Sequence, residues 1–281
     1  MHFEKIIIIG SGKIASYCSN FLFEANIYHE VIETNDSLLS TLKYDCSRKN
    51  IKVSFLRDYV DIDDAILSNS KVNTLVISAN NTHIFKKSLL TDITIINFHY
   101  GLLPKYRGMN IPSWVIFNEE KYYGGTWHLV NSKIDDGQVI LQKKRPLTTK
   151  DTALTVTKNT ISLGEDMFKE FILNFIEAPE QFIYKQKKFY ITDRLYLKNQ
   201  LPLNGVLSLE LPVKKILNAL KAFDYGPIEY IPKLKIELEG VLYKIKSYSF
   251  CKSGINKSPL PYSQNEYIFE KEGYTIHLFL E

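Results

Sequence analysis

The N-terminal third of the chain alternates short apolar runs with helix-like segments, and this rhythm restricts the fold more than any other feature. Lys5–Ile9 carries consecutive isoleucines ahead of the turn Gly10-Ser11-Gly12, the pattern of a strand buried on both faces. Ile14–Asn26 follows with Tyr17, Phe21, Leu22 and Ala25 at helical spacing. Tyr28–Glu33, Ile51–Leu56, Thr74–Ser78 and Thr94–Asn97 repeat the strand signal, with helical stretches at Leu38–Arg48 and Asp61–Asn69 between them. Such alternation predicts a parallel sheet covered on both sides.

Beyond this region, Pro112–Glu119 reads as a short helix, Gly125–Val130 and Val139–Lys144 as strands around a polar loop. Asp151 caps a long helix that runs to Ile176. Its apolar face is Leu154, Ile161, Met167, Phe168, Phe171 and Phe175. After about residue 200 the texture changes: Val213–Phe223 is helical, and Lys233–Glu239, Leu242–Phe250, Glu266–Glu270 and Tyr274–Leu280 alternate like strands. Glu272-Gly273 between two such runs signals a hairpin. The expected organisation is a Rossmann-like domain over residues 1–200 and a small, mostly β domain over 201–281.

Composition narrows the function classes. Lys and Arg total 35 against 31 Asp and Glu, so the net charge of +4 is too small to mark a nucleic-acid surface. No apolar run approaches the ~20 residues of a membrane span, and Met1–Lys5 has no basic leader. Cys18, Cys46 and Cys251 are far apart, which speaks against a disulfide framework or a cysteine metal site. The expectation is a cytoplasmic, reduced protein with no metal, no membrane partner and no nucleic-acid partner.

Two site signals compete. Gly10-x-Gly12-x-x-Ala15, with Glu33 about 20 residues on, fits a dinucleotide fingerprint and would make the chain an NAD-dependent oxidoreductase. A glycine-rich first turn of a βα unit gives the same pattern without any ligand. The second signal is denser: Asn97-Phe98-His99 ends a strand, Tyr100–Gly108 follows, and Ile134-Asp135-Asp136-Gly137 places acids in a turn after Gly125-Thr126-Trp127-His128. Strand alternation puts Asn97 and His99 on one side. An amide donor, an imidazole and a carboxylate suffice for acyl transfer, in which developing negative charge on oxygen must be stabilised and a proton moved. Asp136 is the second choice for the carboxylate, and His128 reads as structural.

Asn97–Gly108, Pro112-Ser113-Trp114, Gly124–His128 and Ile134–Gly137 together resemble the formyltransferases that use N10-formyltetrahydrofolate. The resemblance is strong over residues 73–176 and weak after 200. It implies an α/β fold, a Rossmann-like parallel-sheet formyltransferase core with a small β C-terminal domain. By the resemblance, Asn97, His99 and Asp135 are catalytic, while Asn81, Thr82, His83, Leu102, Asn131, Ser132, Lys133 and Ile134 contact the folate. Gly101 stands where many relatives carry Ser, so that hydroxyl is missing.

The acceptor amine is then the open question. Residues 200–281 hold 10 Lys, no Arg and 9 acidic residues, a poor clamp for tRNA. The loop Leu102–Gly108 followed by Pro-Ser-Trp resembles enzymes that formylate an amino sugar carried on a nucleotide, with Lys105, Tyr106 and Arg107 as its acceptor contacts. An amino-acid or peptide amine and methionyl-tRNA are the alternatives, and a homodimer is left open. A scaffold that merely kept the fold has no use for Asn97, His99 and Asp135 together.

Overall fold

The computed structural model describes residues 3–34, 40–58, 61–70, 73–183, 194–253 and 265–281. They divide into two compact units, the first made of Met1–Gly108, Tyr123–Arg145 and Lys158–Leu195. The second comprises Met109–Tyr122, Pro146–Thr157 and Tyr196–Glu281. A single boundary after residue 200 was expected; the units interleave instead.

The first unit is built on a seven-stranded sheet. In chain order its strands are β1 (Lys5–Gly10), β2 (Glu30–Glu33), β3 (Val53–Phe55), β4 (Thr74–Ala79), β5 (Ile93–His99), β7 (Tyr122–Leu129) and β8 (Val139–Pro146), and β6 (Arg107–Gly108) is a separate two-residue strand. Their spatial order is β3-β2-β1-β4-β5-β7-β8. β1 to β5 run parallel, and β7 lies antiparallel to β5. α1 (Gly12–Glu24), α2 (Thr41–Arg48) and α3 (Ile62–Asn69) connect the parallel strands. The expected start of the second helix at Leu38 lies outside the described residues.

Alternation along β1 divides the core. Ile6 and Ile8 join Val31, Leu75, Ile77, Ile96, Phe98 and Trp127 on one face, under α1 and the long helix α5 (Ala153–Glu177). Ile7 and Ile9 join Ile32, Val76, Ile93 and Ile95 on the other, with Ala65 and Ile66 of α3. The predicted face of α5 supplies Met167, Phe168, Phe171 and Phe175, all essentially buried.

In the second unit, α4 (Ile111–Phe117) packs on α7 (Val213–Ala222). The Ser113 and Tyr225 hydroxyls meet at 3.0 Å, and Lys215 Nζ donates to the Phe117 carbonyl at 3.0 Å. These contacts lie within the second unit, to which residues 109–122 belong. Between α5 and α7 lie the short elements α6 (Glu180–Ile183), β9 (Leu195–Tyr196) and β10 (Val206–Leu207). The C-terminal sheet has the order β10-β11-β12-β14-β13, with β11 at Lys235–Leu238, β12 at Val241–Lys252, β13 at Glu266–Lys271 and β14 at Tyr274–Leu280. Glu272 and Gly273 take φ of 48° and 76°, the double left-handed turn that a two-residue hairpin requires. The mostly β character expected of this region is what the structure shows.

Candidate active site

The cluster forms where β5 meets β7. Register pairs Asn97 with His128 and His99 with Thr126. Because Phe98 and Trp127 go into the α5-side core, Asn97, His99, Thr126 and His128 share the opposite face. Phe98 is held there by close approach: a Cβ on Gly125 or on Gly164 would lie 2.7 or 2.5 Å from its ring.

His99 is almost completely buried. Its Nε2 lies 2.5 Å from the Tyr106 carbonyl and its Nδ1 3.4 Å from Asp135 Oδ2. Both partners are acceptors. A neutral ring has one N–H and satisfies one of them; a protonated ring satisfies both. Burial pushes the imidazole below the ordinary histidine value, while Asp135 and the Tyr106 carbonyl pull the other way. The ring is therefore a base whose conjugate acid has two oxygen partners waiting.

Asp135 reaches this ring from a turn with left-handed backbone at φ 48°. Burial alone would raise its carboxyl. Facing His99 and the Gly108 N–H, which donates to Oδ2 at 2.7 Å, hold it well below the usual carboxylate range. Gly137 lets the turn hug the end of β7, since a Cβ there would sit 1.6 Å from the Leu129 carbonyl oxygen. Arg107 Nε donates to the Ile134 carbonyl at 2.8 Å, and its Nη1 lies 3.7 Å from Asp136 Oδ1. Asp136 thus faces Arg107, and Asp135 faces the histidines.

The other singled-out residues lie around this cluster. Tyr106 is buried, Lys105 is exposed with Nζ 5.6 Å over the Tyr106 ring, and Leu102 accepts the Tyr106 N–H at its carbonyl. Thr126 donates to the Gly101 carbonyl at 2.6 Å, and Gln142 donates to Thr126 and to the Leu103 carbonyl. After β4, Asn81 Oδ1 accepts the His83 N–H at 3.2 Å, Thr82 is exposed, and His83 Nε2 meets Asp63 at 3.0 Å. Asn131, Ser132 and Lys133 are exposed on the β7–β8 loop, and Ile134 is half-buried.

His128 is the residue that sequence reasoning undervalued. Its Nε2 is 3.2 Å from Asn97 Nδ2 and 3.6 Å from Asp135 Oδ1. An antiparallel partner thirty-odd residues away carries no local signal; only the Gly-x-Thr-x-His spacing pointed there.

The strand order reverses between β1 and β4, so the sheet's topological switch point is at the Gly10 turn and not at His99. There Asn80 donates to the Ser11 carbonyl and hydroxyl at 3.3 and 3.2 Å, with its Nδ2 3.5 Å from where a Gly12 Cβ would stand. Glu33 is buried and accepts a hydrogen bond from Ser40. A carboxylate enclosed in this way is not displayed to a ribose, which removes the geometric basis of the oxidoreductase alternative.

Residues 60–172 match the formyl transferase family. Among curated proteins, GDP-perosamine N-formyltransferase of Brucella melitensis is 26% identical over 158 residues, which are 56% of this chain and 58% of the relative. Methionyl-tRNA formyltransferase of Borrelia garinii is 27% identical over 202 residues, 67% of this chain and 59% of that protein. The chain thus spans less than two thirds of the length of these curated relatives. Among solved structures, the N-formyltransferase of Helicobacter canadensis in complex with folinic acid and dTDP-3-aminofucose superposes with a TM-score of 0.74 at 21% identity, covering both chains completely. WlaRD, a sugar 3N-formyl transferase, gives 0.72 at 23% identity over 100% of this chain and 98% of its own. The segment that carries the Asn97, His99 and Asp135 cluster is thus the one that matches the formyl transferase family, and the fold is that of solved N-formyltransferases.

Proposed function

We propose that the protein transfers the formyl group of N10-formyltetrahydrofolate to the primary amine of a nucleotide-linked amino sugar. The observation that carries the reading is the convergence of the Asn97 amide, the His99 imidazole and the Asp135 carboxylate at one strand junction. The Helicobacter canadensis enzyme of like architecture binds folinic acid and dTDP-3-aminofucose together, which supports both substrate classes.

The chemistry asks for a bond from the amine nitrogen to the formyl carbon and loss of the bond from that carbon to folate N10. Asn97 donates an amide N–H to the formyl oxygen, where negative charge collects; one such donor is worth about 10²–10³ in rate. The proton that the amine must lose passes to the Asp135–His99 pair, in which Asp135 and the Tyr106 carbonyl hold the imidazolium. The proton then goes to N10, so none is gained or lost overall. The reading assigns the folate to Leu102, Asn81–His83 and Asn131–Ile134, and gives exposed Lys105 to the phosphates of the acceptor. Tyr106 and Arg107 serve the same loop from inside.

The test is formyl transfer from N10-formyltetrahydrofolate to a panel: a dTDP-linked 3-amino sugar, a GDP-linked 4-amino sugar, methionyl-tRNA and free amino acids. Turnover with a nucleotide sugar and none with methionyl-tRNA is expected. Turnover confined to methionyl-tRNA or to amino acids overturns the acceptor, and no turnover with any of them overturns the reaction.

A further inference from the structure

We infer that His128 is a positioning residue that fixes which end of the Asn97 amide faces the reacting formyl group. The inference rests on the formyl-transfer reading for its catalytic consequence, while the geometry stands by itself.

A carboxamide can be turned by half a rotation at almost no cost unless its neighbours distinguish nitrogen from oxygen. His128 makes that distinction. Its Nδ1 lies 2.8 Å from the Leu129 carbonyl, an acceptor, so Nδ1 carries the proton and donates there. In the neutral ring Nε2 is then a bare lone pair, and it faces Asn97 Nδ2 at 3.2 Å. It accepts an N–H from that nitrogen and would repel Oδ1. The ring itself cannot turn freely: it is 2% exposed, paired in register with Asn97 across β5 and β7, and set edge-on to the His99 ring. Asp135 Oδ1, at 3.6 Å, is the other group that faces Nε2.

Asn97 Nδ2 has two hydrogens, and His128 takes one. The second has no protein acceptor among the described residues, and Asn97 is only partly buried, so that N–H is left for an oxygen arriving from outside. A turned amide would present Oδ1 to the formyl oxygen and repel the charge it should stabilise. His128 touches neither reacting atom in this arrangement. It acts through Asn97.

The experiment is a double-mutant cycle on formyl transfer with His128→Leu, Asn97→Ala and the pair, joined to proton-detected nitrogen spectra of the imidazoles. We expect His128→Leu to lower kcat about 10²-fold with the folate KM unchanged, the loss of one oriented donor. In the Asn97→Ala background the same change should cost almost nothing further. His128→Gln, which keeps an acceptor at the same reach, should recover most of the rate. Full additivity of the two single losses, or failure of His128→Gln to exceed His128→Leu, would overturn the inference. The spectra decide the point independently of folding of the variants and of the reaction. Unprotonated Nε2 with protonated Nδ1 on His128 of the wild-type protein supports it, and a proton on Nε2 overturns it. Should the wild-type protein transfer no formyl group to any acceptor, the functional reading fails, and the spectra still decide how the amide is turned.

Discussion

The backbone N–H of Gly108 donates to Asp135 Oδ2 at 2.7 Å, so the loop that closes over His99 is tied to the turn that supplies its carboxylate. The two segments contribute opposite sides of one imidazole, the Tyr106 carbonyl on Nε2 and Asp135 on Nδ1. Disturbing either segment therefore disturbs both contacts.

Asp135→Asn tests the charge on one side. The amide keeps an acceptor for Gly108 but removes the negative charge that favours protonated His99, so the imidazole falls further below its ordinary value. The acid limb of the kcat/KM profile should move to lower pH, with the plateau down at least about 10²-fold. A limb that stays in place means that His99 is not the titrating base.

Arg107→Ala separates two roles of one side chain. With Arg107 bound to the Ile134 carbonyl and beside Asp136, its loss should lower stability by about 1.5–3 kcal/mol, the range for hydrogen bonds from charged groups. The kcat should fall as Asp135 shifts. A stable variant with a raised KM for nucleotide-linked acceptors alone would return Arg107 to the acceptor-contact role that the resemblance implied.

Gly137→Ala should be costly although both residues are small. The new methyl would enter the Leu129 carbonyl, so the turn must retreat from β7, at a cost of about 1–3 kcal/mol typical of overpacking. Chemical denaturation gives the stability and formyl transfer the activity; a variant with both unchanged would show that the turn has slack.

Stability should fall on the acid side in two stages. Folding holds His99 with a depressed value, so its contribution is complete above the ordinary histidine value of ~6.5 and is lost as pH drops through the folded one. Buried His29 is depressed by the same desolvation and adds to this window. Asp135, also depressed, adds a later loss below the ordinary carboxylate value of ~3.9. Melting temperatures across pH 4–7 should decline less steeply in His99→Gln than in wild type; parallel curves would assign the whole first stage to His29.

Much of this was readable from residues. The isoleucines of β1 are buried on both faces, as an unbroken apolar run demands, and the aromatic stripe of α5 is the core face it looked like. Asn97 and His99 share a face because a strand has period two. What the sequence did not show depends on pairings between distant segments. The role of His128 comes from antiparallel register, and that of Arg107 from a carbonyl 27 residues away. Segment 109–122 leaves the first unit because α4 meets α7, a packing choice with no local mark. β10 has only two residues, too few for any alternation.

Phe98 lies between Asn97 and His99 in sequence, and its ring fills the slot left by Gly125 and Gly164. A slip of β5 by one residue would drive a polar side chain into that slot and strand the ring outside it. Reactive register is thus locked from the greasy side of the sheet, by residues no substrate meets. Polar-side loops other than those that carry Tyr106 and Asp135 can lengthen, shorten or change charge without unsetting the alignment of amide and imidazole. On the proposed reading, such a chain can exchange one amine acceptor for another, provided the keyway of two glycines is left alone.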